Sequence, residues 1–287
     1  MRVRRSATPL CKALITLGLV SLVSLVSGSN TTSANAASLR SSLEGVNATL
    51  TYHGTYPLAR SATLTIWRAR HVVYSRAVTS PLCGSLCWPT AADGSNSQSA
   101  VQVVRLGSGA PDVVLGLYSG GAHCCYIDQV FAPASRSKYR MSEMSFGDPG
   151  AHLEVLPGSP YAKFVTADDA FAYTFTDFAA SGLPIKIMNF TRRGFSDVTR
   201  QYPVLIRADA ATWLAAFRDQ VTSHYSDSVG VIAAWAADEY QLGLERSADA
   251  FLRAQAVAGH LNSPLYPTVK GLVFVRFLQK FLHQRGY

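Results

Sequence analysis

G-L-Y-S-G-G-A-H-C-C-Y-I-D-Q-V-F, Gly116 to Phe131, sets two glycines, a histidine and two adjacent cysteines between two apolar runs, Val113–Tyr118 and Tyr126–Phe131. Apolar runs of this length around a glycine pair predict strand, tight bend, strand. Side chains alternate between faces along a regular strand. Two consecutive cysteines therefore reach one partner loop only where the backbone departs from regular extension, and Gly120-Gly121 permits that departure. A bulge or turn at His123–Cys125 is expected.

Outward from this centre, the chain from about Ala48 to Ile206 repeats the pattern. Thr63–Trp67 and Val72–Ser75 alternate around Arg68-Ala69-Arg70-His71, a hairpin. Val101–Leu106 and Val113–Tyr118 flank the turn Gly107-Ser108-Gly109-Ala110-Pro111. Lys163–Thr166, Phe171–Phe178 and Ile185–Phe190 read as further strands, with Arg192-Arg193-Gly194 as a turn. Asp93–Ser99 reads as a loop and Gly147-Asp148-Pro149-Gly150 as a second strong turn. Hairpins at this spacing predict curled antiparallel sheets, propeller-blade-like or a sandwich.

From Asp209 the period becomes helical. Asp209 is the expected N-cap of a helix running through Val221. Val229–Leu242 and Ser247–Leu261 follow, resembling one tetratricopeptide-like hairpin, too few for a solenoid. Val269–Leu282 places Phe274, Val275, Leu278, Phe281 and Leu282 on one arc, opposite Arg276, Gln279, Lys280 and His283. Such an arc predicts docking on the protein's own core rather than on a membrane surface. The expected fold class is α+β: an antiparallel β-rich domain at residues 37–206, then a helical region of three or four helices at 207–287 docked on it.

Residues 1–36 read as a signal peptide. Arg2, Arg4, Arg5 and Lys12 precede the apolar run Ala13–Val26, and Ala34-Asn35-Ala36 offers small residues for cleavage. Fourteen residues rise about 21 Å as a helix, short of the roughly 30 Å hydrocarbon core. No later apolar run reaches eighteen residues, so no transmembrane segment is expected after cleavage. The chain carries 26 Lys+Arg against 18 Asp+Glu, a net of +8, and loss of the four leader cations leaves +4. That mild excess, without a run of five like charges, argues against nucleic acid as partner. An apolar share of 48% with 15% charged residues excludes a disordered chain.

The mature chain keeps Cys83, Cys87, Cys124 and Cys125, an even count that reads as two disulfides in an exported protein. Linking Cys124 to Cys125 needs an eight-membered ring with a distorted peptide. Cross-bridges from the Pro81–Pro89 loop to Cys124 and Cys125 are therefore expected, with Cys83–Cys87 plus Cys124–Cys125 as the alternative. A cross-bridge closes a loop of about 40 residues, worth about 4 kcal/mol. Zinc is a sharper reading of His123 beside the cysteines, and Cys83-x-x-x-Cys87 has admissible spacing. Adjacent cysteines are poorly placed to bind one ion, so no metal and no cofactor is predicted.

The common nucleophile-elbow, zinc-protease, dinucleotide and phosphate-loop motifs are absent. Asp168, Asp169 and Asp177 form the best carboxylate group, and a suitable pair could serve glycoside hydrolysis. Acids at strand ends and turns are more commonly local caps. Ser119 near His123 supplies two parts of a triad and no third. The expected function is that of an exported, non-enzymatic protein binding a cell-envelope component, sugar or protein, with Trp67, Trp88, Tyr118 and Tyr126 as contact surface. The alternative is a secreted hydrolase using an acid pair or His123. A deep polar pocket gathering His123 with two carboxylates would favour the enzyme, and a shallow aromatic surface would favour binding.

The C-x-x-x-C of Cys83–Cys87 followed by Y-S-G-G-A-H-C-C, Tyr118–Cys125, resembles a family of uncharacterised secreted actinobacterial proteins. Asp169–Phe175 (D-A-F-A-Y-T-F), Asp197–Arg200 (D-V-T-R) and the closing Phe281-Leu282 and Gly286-Tyr287 also match. The resemblance covers most of the mature chain. It implies export and the extent of the fold, and no mechanism. In similar proteins the turn before the motif is often Asp-rich, like calcium loops. Here Leu106–Asp112 has one acid, and calcium wants several.

Overall fold

Thirteen strands and four helices follow one another along the described part of the chain. The computed structural model describes residues 36–54, 60–83, 87–90, 99–223, 227–263 and 265–287. The expected leader and the Asp93–Gln98 part of the expected loop lie outside these residues.

The first sheet contains β1 (Ala37–Leu43), β2 (Val46–His53), β3 (Arg60–Arg68) and β4 (His71–Ala77), paired in that order. The second contains β5 (Trp88–Pro89), β6 (Val101–Val104), β7 (Asp112–Gly121), β8 (Cys124–Pro133) and β9 (Tyr139–Gly147). Its order is β5-β7-β8-β9, with β6 also on β7. The third contains β10 (His152–Val155), β11 (Ala162–Ala167), β12 (Ile185–Thr191) and β13 (Gly194–Asp197). All pairs are antiparallel. The sheets are open meanders, blade-like, with no closed barrel.

Alternation sets how they stack. Val46, Ala48 and Leu50 of β2 and Leu64 and Ile66 of β3 pack on Val113, Leu115 and Leu117 of β7 and Ile127 and Phe131 of β8. The opposite face of the second sheet, through Val114, Val130 and Phe146, packs on Phe164, Met188 and Phe190 of the third. The second sheet is therefore covered on both faces. That is why Val113–Leu117 reads as an unbroken apolar run rather than an alternating one.

Phe171–Phe178 is not a strand, contrary to the sequence reading. Asp168 accepts the Ala170 amide (3.2 Å) and starts a 3-10 turn at Asp169–Phe171. Phe171 and Phe175 are both buried and point the same way, into the helices. A spacing of four puts both on one face in a strand or a turn alike, and it is the local bonds Phe171 N–H to Asp168 O (3.2 Å) and Thr174 N–H to Phe171 O (3.1 Å) that make this segment a series of turns. Asp168 N–H donates to Pro184 O (2.8 Å), closing a loop over 168–184.

The helices are α1 (Pro203–Thr222), α2 (Val229–Gln241), α3 (Glu245–Val257) and α4 (Gly271–Arg285). Asp209 is not an N-cap. Pro203 starts α1 instead, because its fixed φ and missing N–H suit the first turn. Asp209 lies inside the helix, and its Oδ2 accepts from Ile185 N–H (2.8 Å) and from Trp213 Nε1 (2.9 Å). The helix α2 is buried almost all round and forms the axis of the helical core. Phe274, Val275, Leu278 and Leu282 bury the predicted arc of α4 against it. Among the described residues no helix is long and apolar enough to cross a membrane. Sheets and helices form one compact unit, Ala34–Tyr287.

Close approach of the 168–184 loop to α2 depends on two glycines, Gly182 in the loop and Gly230 in the helix. A Cβ at Gly230 would collide with the Ala180 carbonyl. Alanine normally improves a helix interior by about 1 kcal/mol over glycine. Here the collision is with backbone, so Gly230→Ala is expected to destabilise by about 1–3 kcal/mol. Urea midpoints of the two proteins decide between these signs.

Candidate functional site

The β7–β8 hairpin ends in a turn through Ala122 and His123. Tyr118 lies opposite Tyr126 and Gly121 opposite Cys124, with a register shift between the two pairs. The extra residue therefore sits on the β7 side, where Gly120 adopts φ +85°. Ser119 Oγ accepts the Cys125 amide (2.7 Å), and the Tyr118 hydroxyl donates to Gly121 O. Ser119 is thus committed to holding the bend.

The cysteines pair as Cys83–Cys87 and Cys124–Cys125, and the peptide between the latter two is cis. The expected cross-bridges do not form, and for Cys87 strand order gives the reason. Trp88, next to Cys87, pairs with Tyr118 on one edge of β7, whereas β8 carries Cys124 and Cys125 on the other. Two strand spacings amount to about 10 Å, beyond the roughly 7 Å Cα separation a disulfide can span. Cys83 and Cys87 are 5.2 Å apart at Cα.

The exposed tip of the hairpin meets the 168–184 loop. The His123 ring lies 4.0 Å from that of Phe178 and 6.1 Å from that of Tyr173, and Tyr173 and Phe178 are 5.5 Å apart. Tyr173 is 51% exposed and Tyr266 41%. Tyr173 adopts φ +60°, an unusual conformation for a bulky residue. Surrounding bonds hold it there: Tyr173 N–H donates to Ser181 Oγ (3.1 Å), and the Tyr266 hydroxyl donates to Tyr173 O (3.4 Å). With the exposed Cys124 beside them, these side chains make a fixed apolar surface from three distant segments.

Of the aromatic residues singled out in the sequence, Trp88, Tyr118 and Tyr126 come together. Strand register aligns them across β5, β7 and β8, and the two tyrosine rings are 4.9 Å apart. Trp67 does not join them. It alternates away from Leu64 and Ile66 on β3 and so lies on the outer face of the first sheet.

The acids have local partners. Asp168 is buried and holds the Ala170 amide, Lys186 Nζ (3.4 Å), Arg285 Nη2 (3.5 Å) and the Tyr287 hydroxyl (2.9 Å). Asp169 accepts the Asp148 amide (3.2 Å), and its carboxyl is raised by burial despite that bond. Asp168 and Asp169 share a cavity of about 170 Å3 with Lys186. Asp177 is exposed and caps the Ala180 amide (2.9 Å). Among the described residues His123 does not line that cavity, nor the one that holds Asp168 with Asp197.

Sequence reasoning missed the two most strongly perturbed acids. Burial pushes Asp128, opposite Gly116, up to about 7. Burial beside Asp209 pushes Asp238 up to about 10. Asp128 interrupts the strand run Tyr126–Phe131 and Asp238 follows the apolar run Val231–Ala237, which is the signal that could have flagged them.

No protein-family model matches the chain, and no solved structure matches it. The chain is 26% identical over 136 residues to a probable thylakoid lumen protein of Synechocystis sp., covering 46% of this chain and 40% of that protein. It is 23% identical over 96 residues to an uncharacterized protein of Sinorhizobium fredii, covering 33% of this chain and 15% of that protein. The chain thus spans less than half the length of both relatives.

Proposed function

We propose that this chain is an exported, non-enzymatic protein that binds a glycan of the cell envelope on the surface formed by His123, Tyr173 and Phe178. The observation that carries this reading is the exposed ring cluster itself, held in place by the hairpin bend and by the bonds around Tyr173. Sugar rings present C–H faces that pack on aromatic faces, while their hydroxyls bond to polar groups at the edges. Binding needs such a surface. Hydrolysis would need His123 or an acid pair turned to a common substrate, and the acids here cap turns and pair with cations.

The compartment has separate support. The Synechocystis relative is described as a probable lumen protein, in a space outside the cytoplasm. Two disulfides suit an oxidising compartment. The leader pattern and the G-G-A-H-C-C likeness to secreted actinobacterial proteins point the same way.

The test is a calorimetric titration of the exported protein with soluble peptidoglycan fragments. Tyr173→Ala and Phe178→Ala are each expected to weaken binding about tenfold, about 1.4 kcal/mol. Unchanged affinity in both variants overturns the reading. Release of new reducing ends that is lost in Asp168→Asn replaces it with the hydrolase.

A further inference from the structure

Four turns meet at one end of the β sheets, and three of them bring an arginine. Arg68 comes from the end of β3, Arg136 from the β8–β9 turn and Arg192 from the β12–β13 turn. All three line one cleft of about 260 Å3, whose remaining wall is the β6–β7 turn, Gly107-Ser108-Gly109-Ala110. Arg68 is half-buried, and Arg136 and Arg192 are exposed. Among the described residues none of the three forms a salt bridge. The neighbouring Arg105 shows the contrast, since Glu44 neutralises it. Nor do the amides of Gly107, Ser108, Gly109 and Ala110 find an acceptor among the described residues. Asp112 is the one acid in the lining, and its Oδ2 is already turned to the Leu106 amide (3.1 Å).

Guanidinium forks and consecutive loop amides are the two donor types that fit a tetrahedral oxyanion. Like charges converging from three sheets repel unless an anion sits between them. The cleft also opens into a wider groove of about 960 Å3, sharing Gly107, Ser108 and Arg192 and adding Tyr161, Asn189, Phe195 and Lys163. Half-buried rings and an amide beside an anion site suit a sugar carrying the anion. We propose that this junction of three sheets is an oxyanion site for the phosphate or sulfate ester of a carbohydrate. None of its lining residues belongs to the His123–Tyr173–Phe178 surface, so the two sites succeed or fail independently.

Calorimetric titration of the full chain with a sulfated oligosaccharide, with inorganic phosphate and with phosphatidylglycerol vesicles, at about 0.15 M salt, separates the sources. Saturable binding of the oligosaccharide and of phosphate is expected. The triple Arg68→Gln, Arg136→Gln, Arg192→Gln should weaken oligosaccharide binding at least about tenfold. If the triple fails to fold, the exposed double Arg136→Gln, Arg192→Gln should weaken it at least about threefold. A control triple, Arg140→Gln, Arg246→Gln, Arg276→Gln, removes equal charge elsewhere and should stay within about twofold, as should Tyr173→Ala. Equal losses in the two triples, absence of oligosaccharide binding, or binding to the vesicles alone overturns the proposal.

Discussion

Truncating Phe274 to alanine is expected to destabilise the whole chain by about 3–5 kcal/mol, the range for emptying a buried aromatic site. Phe274 is 1% exposed, and its ring meets that of Phe175 edge-on at 5.7 Å. Phe175 also contacts Phe281 at 5.2 Å, and Phe281 contacts Phe171 at 5.1 Å. Phe171 and Phe175 belong to the segment between β11 and β12, so this network fastens α4 to the third sheet's own connection. Asp168 adds polar fastening through Arg285 and Tyr287. A cavity at Phe274 should therefore loosen sheets and helices together. Deleting Val269–Tyr287 should act in the same direction and more strongly. The measurement is urea unfolding read by tryptophan substitution. One variant set keeps only Trp67 and Trp88, on strands, and the other only Trp213 and Trp235, on helices. Coincident midpoints that fall together in Phe274→Ala support a single cooperative unit. A helical midpoint that falls while the strand midpoint stays fixed would show an independently folding tail, and binding of anionic vesicles that is lost with the deletion would restore the membrane reading.

What was legible in the sequence follows from how local each determinant is. Hairpins such as β3–β4 showed because alternation and turn residues lie within a few positions of each other. Ala69 and Arg70 take φ +48° and +69°, the conformation that a two-residue hairpin turn requires. The arc of α4 was visible for the same reason. The cysteine pairing was not, because it depends on β5 lying across β7 from β8, a long-range register that no local pattern encodes. The start of α1 at Pro203 precedes the expected Asp209 because the apolar period becomes visible only inside the helix, while proline suits its first turn. The ring cluster joins residues 123, 173, 178 and 266, which share no periodicity. The strand reading of Phe171–Phe178 misled because Phe171, Tyr173 and Phe175 do alternate with Ala172, Thr174 and Thr176, while the Asp168 cap and the turn bonds that follow it decide the backbone instead.

Replacing Asp238 by asparagine is expected to stabilise the protein at pH 8 and to change little near pH 4. Asp238 is fully buried in α2, and neither of its oxygens accepts a hydrogen bond from a protein donor. Its neighbour is Asp209, whose Oδ2 already accepts the Ile185 amide and Trp213 Nε1. A carboxylate that accepts nothing is the one to take the proton, and once protonated it donates to Asp209. Desolvation first, and the Asp209 charge second, thus raise Asp238 to about 10 from its ordinary value of 3.8. Because the folded value lies above the unfolded one, the folded state holds a proton that the unfolded state releases throughout that interval. The contribution is complete below about pH 4, falls as pH rises, and is gone above about pH 10. By pH 7 roughly three units of the interval have been crossed, about 4 kcal/mol at about 1.4 kcal/mol per unit. Asparagine keeps a neutral donor toward Asp209 at every pH and so removes this slope. Asp128, Asp112 and Glu239 are also raised by burial and pull in the same direction, but they are common to both proteins and cancel in the difference. Urea unfolding from pH 4.5 to pH 9 should then show the Asp238→Asn advantage growing steadily with pH. Parallel stability curves for the two proteins would mean that Asp238 does not carry the buried proton.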